Sequence, residues 1–509
     1  MRITRTETAD SRQAGSRQGF WRRVVLHEKL SNPLGMAIVV LAAVAFGGVI
    51  ASHGLELGIV MMGLVVGLPI VAASLINLRF GVAFVLFISF FLMGIKKAAP
   101  DIPFGIFLDA GILVLFVGMF FRQSGIKRSW DFASNPISWV ILAWIGYNVL
   151  QIANPVAESR VAWFYTVRGM AGTIVLFYIA LYSIRSLNYI KILIAMIIGL
   201  AVLMALYGLY QENVGMLPFE KAWLNADIER LKLIYQGGRY RTFSFLSDPT
   251  TFGILMAYMS VLTSTMIFGP WRLRYKVVLV IATLLCMYGA ILSGTRTAFV
   301  VIPAGMVFVG LMAVAKKQWA YIGVLTGFMA MGAVAMSVST SNGMMYRVQS
   351  AFNPQEDRSY QVRMKTQARI KGVIQSHPFG GGLGSCGAWG QQFAPYTVFA
   401  TIEPDSGYVR VAVELGWVGL FLYCVMLLTI LRVAVKHLMR ARDPAIINLY
   451  MGLNGTVFAL YVANYGQEAL ILLPNSIVFF IIIAILARLK DFDPNYVQTD
   501  KVAAKSGNS

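Results

Sequence analysis

Long apolar blocks dominate this sequence and leave it few possible folds. Blocks such as 190–210, 277–292 and 406–431 approach or exceed the roughly 18–20 residues that cross a hydrocarbon core of about 30 Å. In lipid every backbone amide needs an internal partner, and a block of this length finds those partners only as a helix. A β-barrel would show short alternating segments instead. The pattern therefore predicts a membrane protein built from helices.

Composition and charge agree with a lipid environment. Hydrophobic residues make up 58% of the 509 residues and charged residues 13%, whereas soluble domains carry about 25% charged residues. The net charge of +20 suggests nucleic acid, but most Lys and Arg lie in short linkers between apolar blocks, where they orient helices. We expect a lipid bilayer and no nucleic acid as partner. The cysteines form no disulfide framework, because only Cys386 lies outside the apolar blocks.

We predict an all-α polytopic protein with about fourteen transmembrane helices, or twelve if the short blocks 81–95 and 474–488 do not cross. The predicted crossings are 35–51, 57–76, 81–95, 104–121, 136–152, 169–184, 190–210, 249–268, 276–292, 297–314, 319–338, 406–431, 446–464 and 474–488. Basic linkers alternate with outer linkers, of which 52–56 and 465–473 carry no Lys or Arg, so we expect an inner-membrane protein with both termini in the cytoplasm. Lys96 and Lys97 run against this trend.

The chain divides into seven predicted segments, and two of them are long loops on the extracytoplasmic side. Loops longer than about 12–15 residues usually carry function, and both loops hold several arginines where basic residues are normally scarce. The segments are a cytoplasmic basic tail with an interfacial helix (1–34), an N-terminal transmembrane bundle (35–210), an extracytoplasmic loop (211–248), transmembrane helices (249–338), a large extracytoplasmic catalytic loop (339–405), C-terminal transmembrane helices (406–490) and a cytoplasmic tail (491–509).

Arginines on the predicted outer side are the first candidates for a site. They are Arg239, Arg241, Arg296, Arg358, Arg363 and Arg369. Arginine stays charged, and its planar fork pairs with phosphate oxygens, so the group suits the diphosphate of a lipid carrier. Ordinary solvated loop residues remain the alternative for Arg358 and Arg369. Arg296 lies at a helix junction, where burying a guanidinium without a purpose is costly.

Charged residues around the start of block 406–431 are the second group of candidates. Asp405 precedes this block and is either a general base or a helix cap. Arg410 and Glu414 follow at a spacing of four, so they either contact substrate or neutralise each other. His377 is another candidate base, although a single loop histidine is more often without a special role.

The segment 375–399 offers glycines and aromatic residues. Gly382, Gly384 and Gly387 formally match GxGxxG, but no strand precedes them and their loop is predicted to face a compartment without dinucleotides. We interpret the run as a closely packed loop. The aromatic residues either stack on sugars or pack the loop, and they are Trp389, Phe393, Tyr396 and Phe399.

Several motifs of other chemistries are not found in the sequence. It has no metal-ligand cluster, no HExxH, no GxSxG and no DxD-like pair in an outer loop. We therefore expect chemistry based on arginine, without a metal ion or a cofactor.

Taken together and in their order along the chain, these features resemble the O-antigen ligase and O-antigen or exopolysaccharide polymerase superfamily of membrane glycosyltransferases. The likeness spans roughly 236–430. It lies in RTFSFLSDP (241–249), in SGTRTA (293–298), in Arg363 followed by HP and the glycine run of 380–384, and in the helix start 406–420. Many members have His-Asn where this chain has Asp405-Ser406, so the role of their histidine falls here on Asp405.

The resemblance implies a GT-C-like fold and a saccharide donor carried on undecaprenyl diphosphate. The saccharide is transferred with inversion to an acceptor hydroxyl. Catalysis is expected from Asp405 as base and from Arg241, Arg296 and Arg363 on the leaving diphosphate. Substrate binding is expected from Arg239, Arg358, Arg410, Glu414 and Trp389.

Three functions remain open. A polysaccharide polymerase is favoured, because the Asp-Ser-Gly-Tyr sequence at 405–408 differs from the ligase pattern. An O-antigen ligase or protein O-oligosaccharyltransferase is the alternative within the superfamily, and it differs in its acceptor. A transporter or flippase would show inverted repeats and polar groups at mid-membrane. Here the polar groups gather at one face.

Overall fold

The computed structural model describes residues 67–100, 102, 104–124, 130–236, 238–323 and 358–496. Regular structure in these residues is helical, apart from one antiparallel hairpin of two short strands. Nine of the described helices are long and apolar enough to cross a membrane. The chain is thus an all-α, multi-pass integral membrane protein, as the apolar blocks predict.

The helices are numbered here in chain order after a short apolar helix, Gly67–Ile76. Those of the first half are α1 (Leu78–Ala98), α2 (Phe104–Ser124), α3 (Pro136–Leu150), α4 (Arg160–Ser183), α5 (Leu187–Asn213), α6 (Pro218–Asn225) and α7 (Ile228–Ile234), followed by strands β1 (Tyr235–Gln236) and β2 (Arg239–Tyr240). Those of the second half are α8 (Pro249–Met266), α9 (Leu273–Ser293), α10 (Arg296–Ala315), α11 (Arg358–Ser376), α12 (Gly387–Phe393), α13 (Gly407–Arg440), α14 (Pro444–Gly466) and α15 (Asn475–Arg488).

Most predicted crossings coincide with these helices, and two boundaries move substantially. Helix α4 begins nine residues before block 169–184, because Ser159 caps it by accepting a hydrogen bond from the Ala162 amide at 3.2 Å. Helix α13 continues past residue 431 as a basic helix that ends at Arg440. The predicted crossing 35–51, the first half of 57–76 and most of 319–338 lie outside the described residues.

Helix α8 forms the centre of the bundle and is buried on all sides between α9, α10 and α14. Four of its hydroxyl groups, those of Ser260, Thr263, Ser264 and Thr265, donate to carbonyl oxygens of the same helix. Ser260 donates to Ala257 O at 2.7 Å, and Thr265 donates to Val261 O at 2.7 Å. This local bonding removes the cost of placing hydroxyls in an apolar core.

Basic residues assigned by the sequence to cytoplasmic linkers gather at one end of the bundle. Arg79 and Arg488 donate to the carbonyls that end α4, at 3.3 Å to Ser183 O and 3.5 Å to Ile184 O. Lys316 donates to Met439 O and Ala441 O, both at 2.8 Å. Cations are favoured at helix C-termini. The opposite end carries the described parts of both long loops, residues 211–236, 238–248 and 358–405, and is called the loop end.

Candidate functional site

Arg241 enters the bundle from the short hairpin of the first loop. Its amide donates to Ile234 O at 2.9 Å, which fixes the chain just after β2. Its guanidinium donates to Ser293 O at 3.0 Å and to Thr295 Oγ1 at 3.1 Å. The residue is only 7% exposed. Arg241 therefore braces the junction between α9 and α10 from inside the protein.

The junction braced by Arg241 begins α10 with Arg296. Gly294 ends α9 in the left-handed conformation, with φ 59°, and Thr295 is the N-cap of α10. Arg296 is half-buried. The next residue, Thr297, lies against the end of α14, because a Cβ on Gly466 would come within 2.7 Å of its Cγ2. The start of α10 thus touches the segment that leads to Glu468.

Arg410 forms ion pairs with two carboxylates, Glu414 and Glu468, next to this segment. Its Nε lies 3.1 Å from Glu414 Oε1, and its Nη1 lies 2.7 Å from Glu468 Oε2. The Arg410 side chain is 16% exposed and that of Glu414 4%, so the three charges form a largely buried network. Burial raises the pKa of Glu468, and the positive charge of Arg410 opposes that rise. The sequence analysis did not include Glu468 in the site.

Asp405 is not a helix cap. The N-cap of α13 is Ser406, whose hydroxyl donates to Asn464 O at 3.3 Å. The Asp405 side chain is exposed, and no described residue forms a hydrogen bond or ion pair with it. Its charge is close enough to Glu468 to help raise the pKa of that carboxyl. The capping interpretation is therefore wrong, and the carboxylate is free to meet a substrate.

The glycine run docks against a break in α13. Gly416, with φ 69°, interrupts the helix. The carbonyls before the break accept from the loop: Gly381 N donates to Val413 O and Gly382 N donates to Glu414 O, both at 2.9 Å. Loop amides are thus used within the protein rather than to cradle a nucleotide. The interpretation of this run as a closely packed loop is confirmed.

We expect Gly380→Ala to detach this loop from α13. Gly380 has φ 73°, and a Cβ there would lie 2.4 Å from Gly416 N, so the methyl group meets backbone that cannot move aside. The combined strain costs about 2–4 kcal/mol of unfolding free energy, measured by thermal unfolding in detergent. Gly372→Ala is the matched control, because a Cβ on Gly372 meets nothing within 4 Å. Equal melting temperatures for both variants would contradict this packing.

The aromatic residues of the second loop have three different environments. Trp389 and Phe393 stack on Tyr165 of α4, with ring centroids 4.9 Å and 5.4 Å away. Phe399 is buried in a small core with Ile370 and Val413. Tyr396 is 77% exposed. Phe399 is therefore a packing residue of the loop. The rings stacked around Trp389 are only half-buried, so the stack is partly exposed.

Cys386 and His377 are engaged by neighbouring groups. The Cys386 thiol is buried and donates to Glu414 Oε1 at 3.2 Å. Burial, followed by the charge of Glu414, raises the pKa of this thiol well above its usual value, which opposes a nucleophilic role. The His377 Nδ1 lies 2.9 Å from Val373 O at the end of α11.

Three predicted arginines belong to α11. Arg358, Arg363 and Arg369 lie on this helix, and their side chains fall outside the described part of the structure. Helix α11 packs against α13 through Ile370 and Val413. The helix that carries these arginines therefore lies beside the helix that carries Arg410.

The contacts of Lys97 were not predicted from the sequence. Its ammonium group donates to Leu246 O and lies 3.8 Å and 4.6 Å from the ring centroids of Phe243 and Trp223. The residue is 5% exposed. A cation between two rings is stabilised by their quadrupoles, so Lys97 anchors the first loop to α1. The signal in the sequence was the lysine pair on the side where basic residues are scarce.

Lys97→Met is expected to loosen the first loop while leaving the bundle folded. The change leaves Leu246 O without its donor and removes both ring contacts, which costs about 1–3 kcal/mol. Limited proteolysis should cut the loop faster, and the melting temperature should fall. Lys96→Met is the control, since Lys96 is exposed. If both variants resist protease like the wild type, Lys97 does not anchor the loop.

Residues 281–424 match the family model described as O-antigen ligase. The matched segment contains the α9–α10 junction with Arg296, the whole of α11, and the start of α13 with Asp405, Arg410 and Glu414. A comparison with curated proteins finds no significant match. The resemblance read from the motifs is confirmed: over residues 281–424 this integral membrane protein is similar to the O-antigen ligase family, in agreement with the O-antigen ligase and polymerase superfamily.

Proposed function

We propose that the protein is a metal-independent, inverting glycosyltransferase that acts on saccharides carried by undecaprenyl diphosphate. It has a GT-C-like fold with twelve to fourteen transmembrane helices, lies in the inner membrane with both termini in the cytoplasm, and works at the periplasmic face. Its products are exopolysaccharide or O-antigen chains. The O-antigen ligase match and the charged network at the loop end support this proposal.

One observation carries the proposal. The segment Gly466–Glu468 touches the start of α10 on one side and the Arg410 guanidinium on the other. Arg296 directly precedes Thr297, which contacts Gly466, and the charge of the exposed Asp405 acts on Glu468, so both residues lie near this short stretch of chain. Cations and a free carboxylate meet at one end of the bundle, where a lipid-linked diphosphate and an acceptor hydroxyl can both arrive.

The proposed reaction divides the work between these groups. Asp405 accepts the proton of the acceptor hydroxyl, whose oxygen attacks the anomeric carbon from the face opposite the diphosphate. The bond to the diphosphate breaks, and its growing negative charge is stabilised by Arg296 and Arg363. Arg241 acts as a positioning residue, because its guanidinium is bonded to Ser293 and Thr295 at the junction. The ion pairs of Arg410 with Glu414 and Glu468 hold α13 in place beside Asp405.

Polymerase and ligase remain distinct outcomes within this proposal. The Asp-Ser-Gly-Tyr sequence at 405–408 favours a polymerase, and the description of the matching family favours a ligase. A protein O-oligosaccharyltransferase would differ from the ligase only in its acceptor.

A deletion strain distinguishes the candidates. We expect it to lose long surface chains and to accumulate short lipid-linked repeats at the periplasmic face, with recovery by the wild-type gene. Accumulation of long lipid-linked chains would indicate a ligase. Repeats retained at the cytoplasmic face would indicate a flippase and would refute the transferase. Gel analysis of surface polysaccharide and mass spectrometry of extracted lipids separate these outcomes.

A further inference from the structure

A cavity of about 460 Å³ opens at the loop end between the end of α5, helix α6 and strand β2. Its volume falls within the roughly 300–1,000 Å³ of small-molecule sites. Its wall includes Arg241. The guanidinium of this same residue bonds Thr295, next to Arg296 at the α9–α10 junction. The cavity therefore adjoins the proposed diphosphate-binding region without containing Asp405 or Arg410.

A fixed pair of opposite charges lines this cavity. Arg239 Nη2 lies 2.6 Å from Glu212 Oε1, and Thr242 Oγ1 donates to Glu212 Oε2 at 3.2 Å. The Glu212 side chain remains 27% exposed and that of Arg239 33% exposed. The carboxylate can thus accept further hydrogen bonds while the guanidinium donates others. Adjacent acceptors and donors in fixed positions match neighbouring hydroxyl groups on a ring.

The Tyr240 ring provides an aromatic surface in the cavity wall. Tyr240 lines the cavity and is 49% exposed. Its ring centroid lies 4.9 Å from that of Tyr235 on the paired strand, which is 47% exposed. An exposed aromatic face beside fixed polar groups suits the C–H face of a sugar ring. The cavity's cations, Lys221, Arg239 and Arg241, outnumber the carboxylate of Glu212, so a cationic amino sugar is disfavoured.

We propose that this cavity binds one neutral or acidic saccharide unit of the lipid-linked substrate. Glu212 and Arg239 bond its hydroxyl groups, and Tyr240 stacks on its ring. The inference rests on the proposed transferase function and adds a site for the sugar, separate from the arginines assigned to the diphosphate. It makes the first loop a determinant of which polysaccharide the enzyme accepts.

The test measures saccharide binding directly. The full-length protein in nanodiscs is titrated with oligosaccharide repeats, released by mild acid from the polysaccharide of its own strain, and followed by saturation-transfer NMR. We expect Glu212→Gln and Tyr240→Ala each to weaken binding about tenfold or more. Glu229→Gln is the matched control, because Glu229 is an exposed acid of the same loop paired with Lys232 at 2.6 Å, outside the cavity. Melting temperatures show whether each variant is folded.

Three results would overturn the inference. They are no binding by the wild type, equal binding by all folded variants, and displacement of the oligosaccharide from this cavity by inorganic diphosphate. Asp405→Asn separates this proposal from the catalytic one, since it should bind the oligosaccharide normally and transfer nothing. Normal transfer by Asp405→Asn, together with weak binding by Glu212→Gln, would remove the catalytic assignment and leave the saccharide site standing.

Discussion

Asp405→Asn is expected to remove transfer activity while leaving the protein folded and inserted. The side chain is exposed and bonded to no described residue, so its loss should not disturb α13. Asparagine cannot accept the acceptor's proton as a carboxylate does. Loss of a general base lowers the rate about 10²–10⁴-fold. The measurement is the rate of transfer in proteoliposomes supplied with lipid-linked saccharide extracted from the deletion strain.

Glu403→Gln is the matched control for Asp405→Asn. Glu403 is an exposed carboxylate two residues away, and its Oε1 accepts from Gln391 Nε2 at 3.1 Å. It should transfer at the wild-type rate. If Asp405→Asn also kept that rate, another group would accept the proton, and Glu468 would be next to test. Its buried carboxyl is bonded to Arg410, so its replacement should also lower stability.

The architecture could be predicted because lipid allows so few alternatives. A long apolar block has only a helix to adopt, and the resulting helices lie close to the predicted blocks. Basic residues on the loop side were also informative, since Lys97, Arg239 and Arg241 all form specific contacts there. What the sequence did not show was that α8 would be enclosed by its neighbours, because hydropathy measures composition and not position within the bundle.

The site was less predictable, because the direction of a side chain depends on packing between distant segments. Arg241 points inward to a helix junction that begins 52 residues later in the sequence, an orientation that the RTF motif alone does not specify. Asp405 precedes a helix in the manner of a cap, yet Ser406 takes that position. Arg410 also pairs with Glu468, 58 residues later in the sequence. Spacing rules could not predict this pair, because they detect only neighbours on one helix.

Arg296→Ala is expected to lower transfer about 10²–10³-fold, the effect of removing one preorganised donor from a developing charge. Arg296 starts α10, half-buried at the junction that Arg241 braces. Arg296→Lys should recover part of the rate. Lysine keeps the charge but lacks the planar fork that binds two phosphate oxygens together.

Arg272→Lys controls for a general effect of changing basic residues, because Arg272 is exposed at the start of α9, at the far end from the junction. Transfer rates are compared in the same proteoliposomes at matched protein levels. A rate for Arg296→Lys equal to that of the wild type would mean that a point charge suffices and that two-oxygen binding is not used. A full rate for Arg296→Ala would place the leaving diphosphate away from the α9–α10 junction, and the arginines of α11 would then have to stabilise it alone.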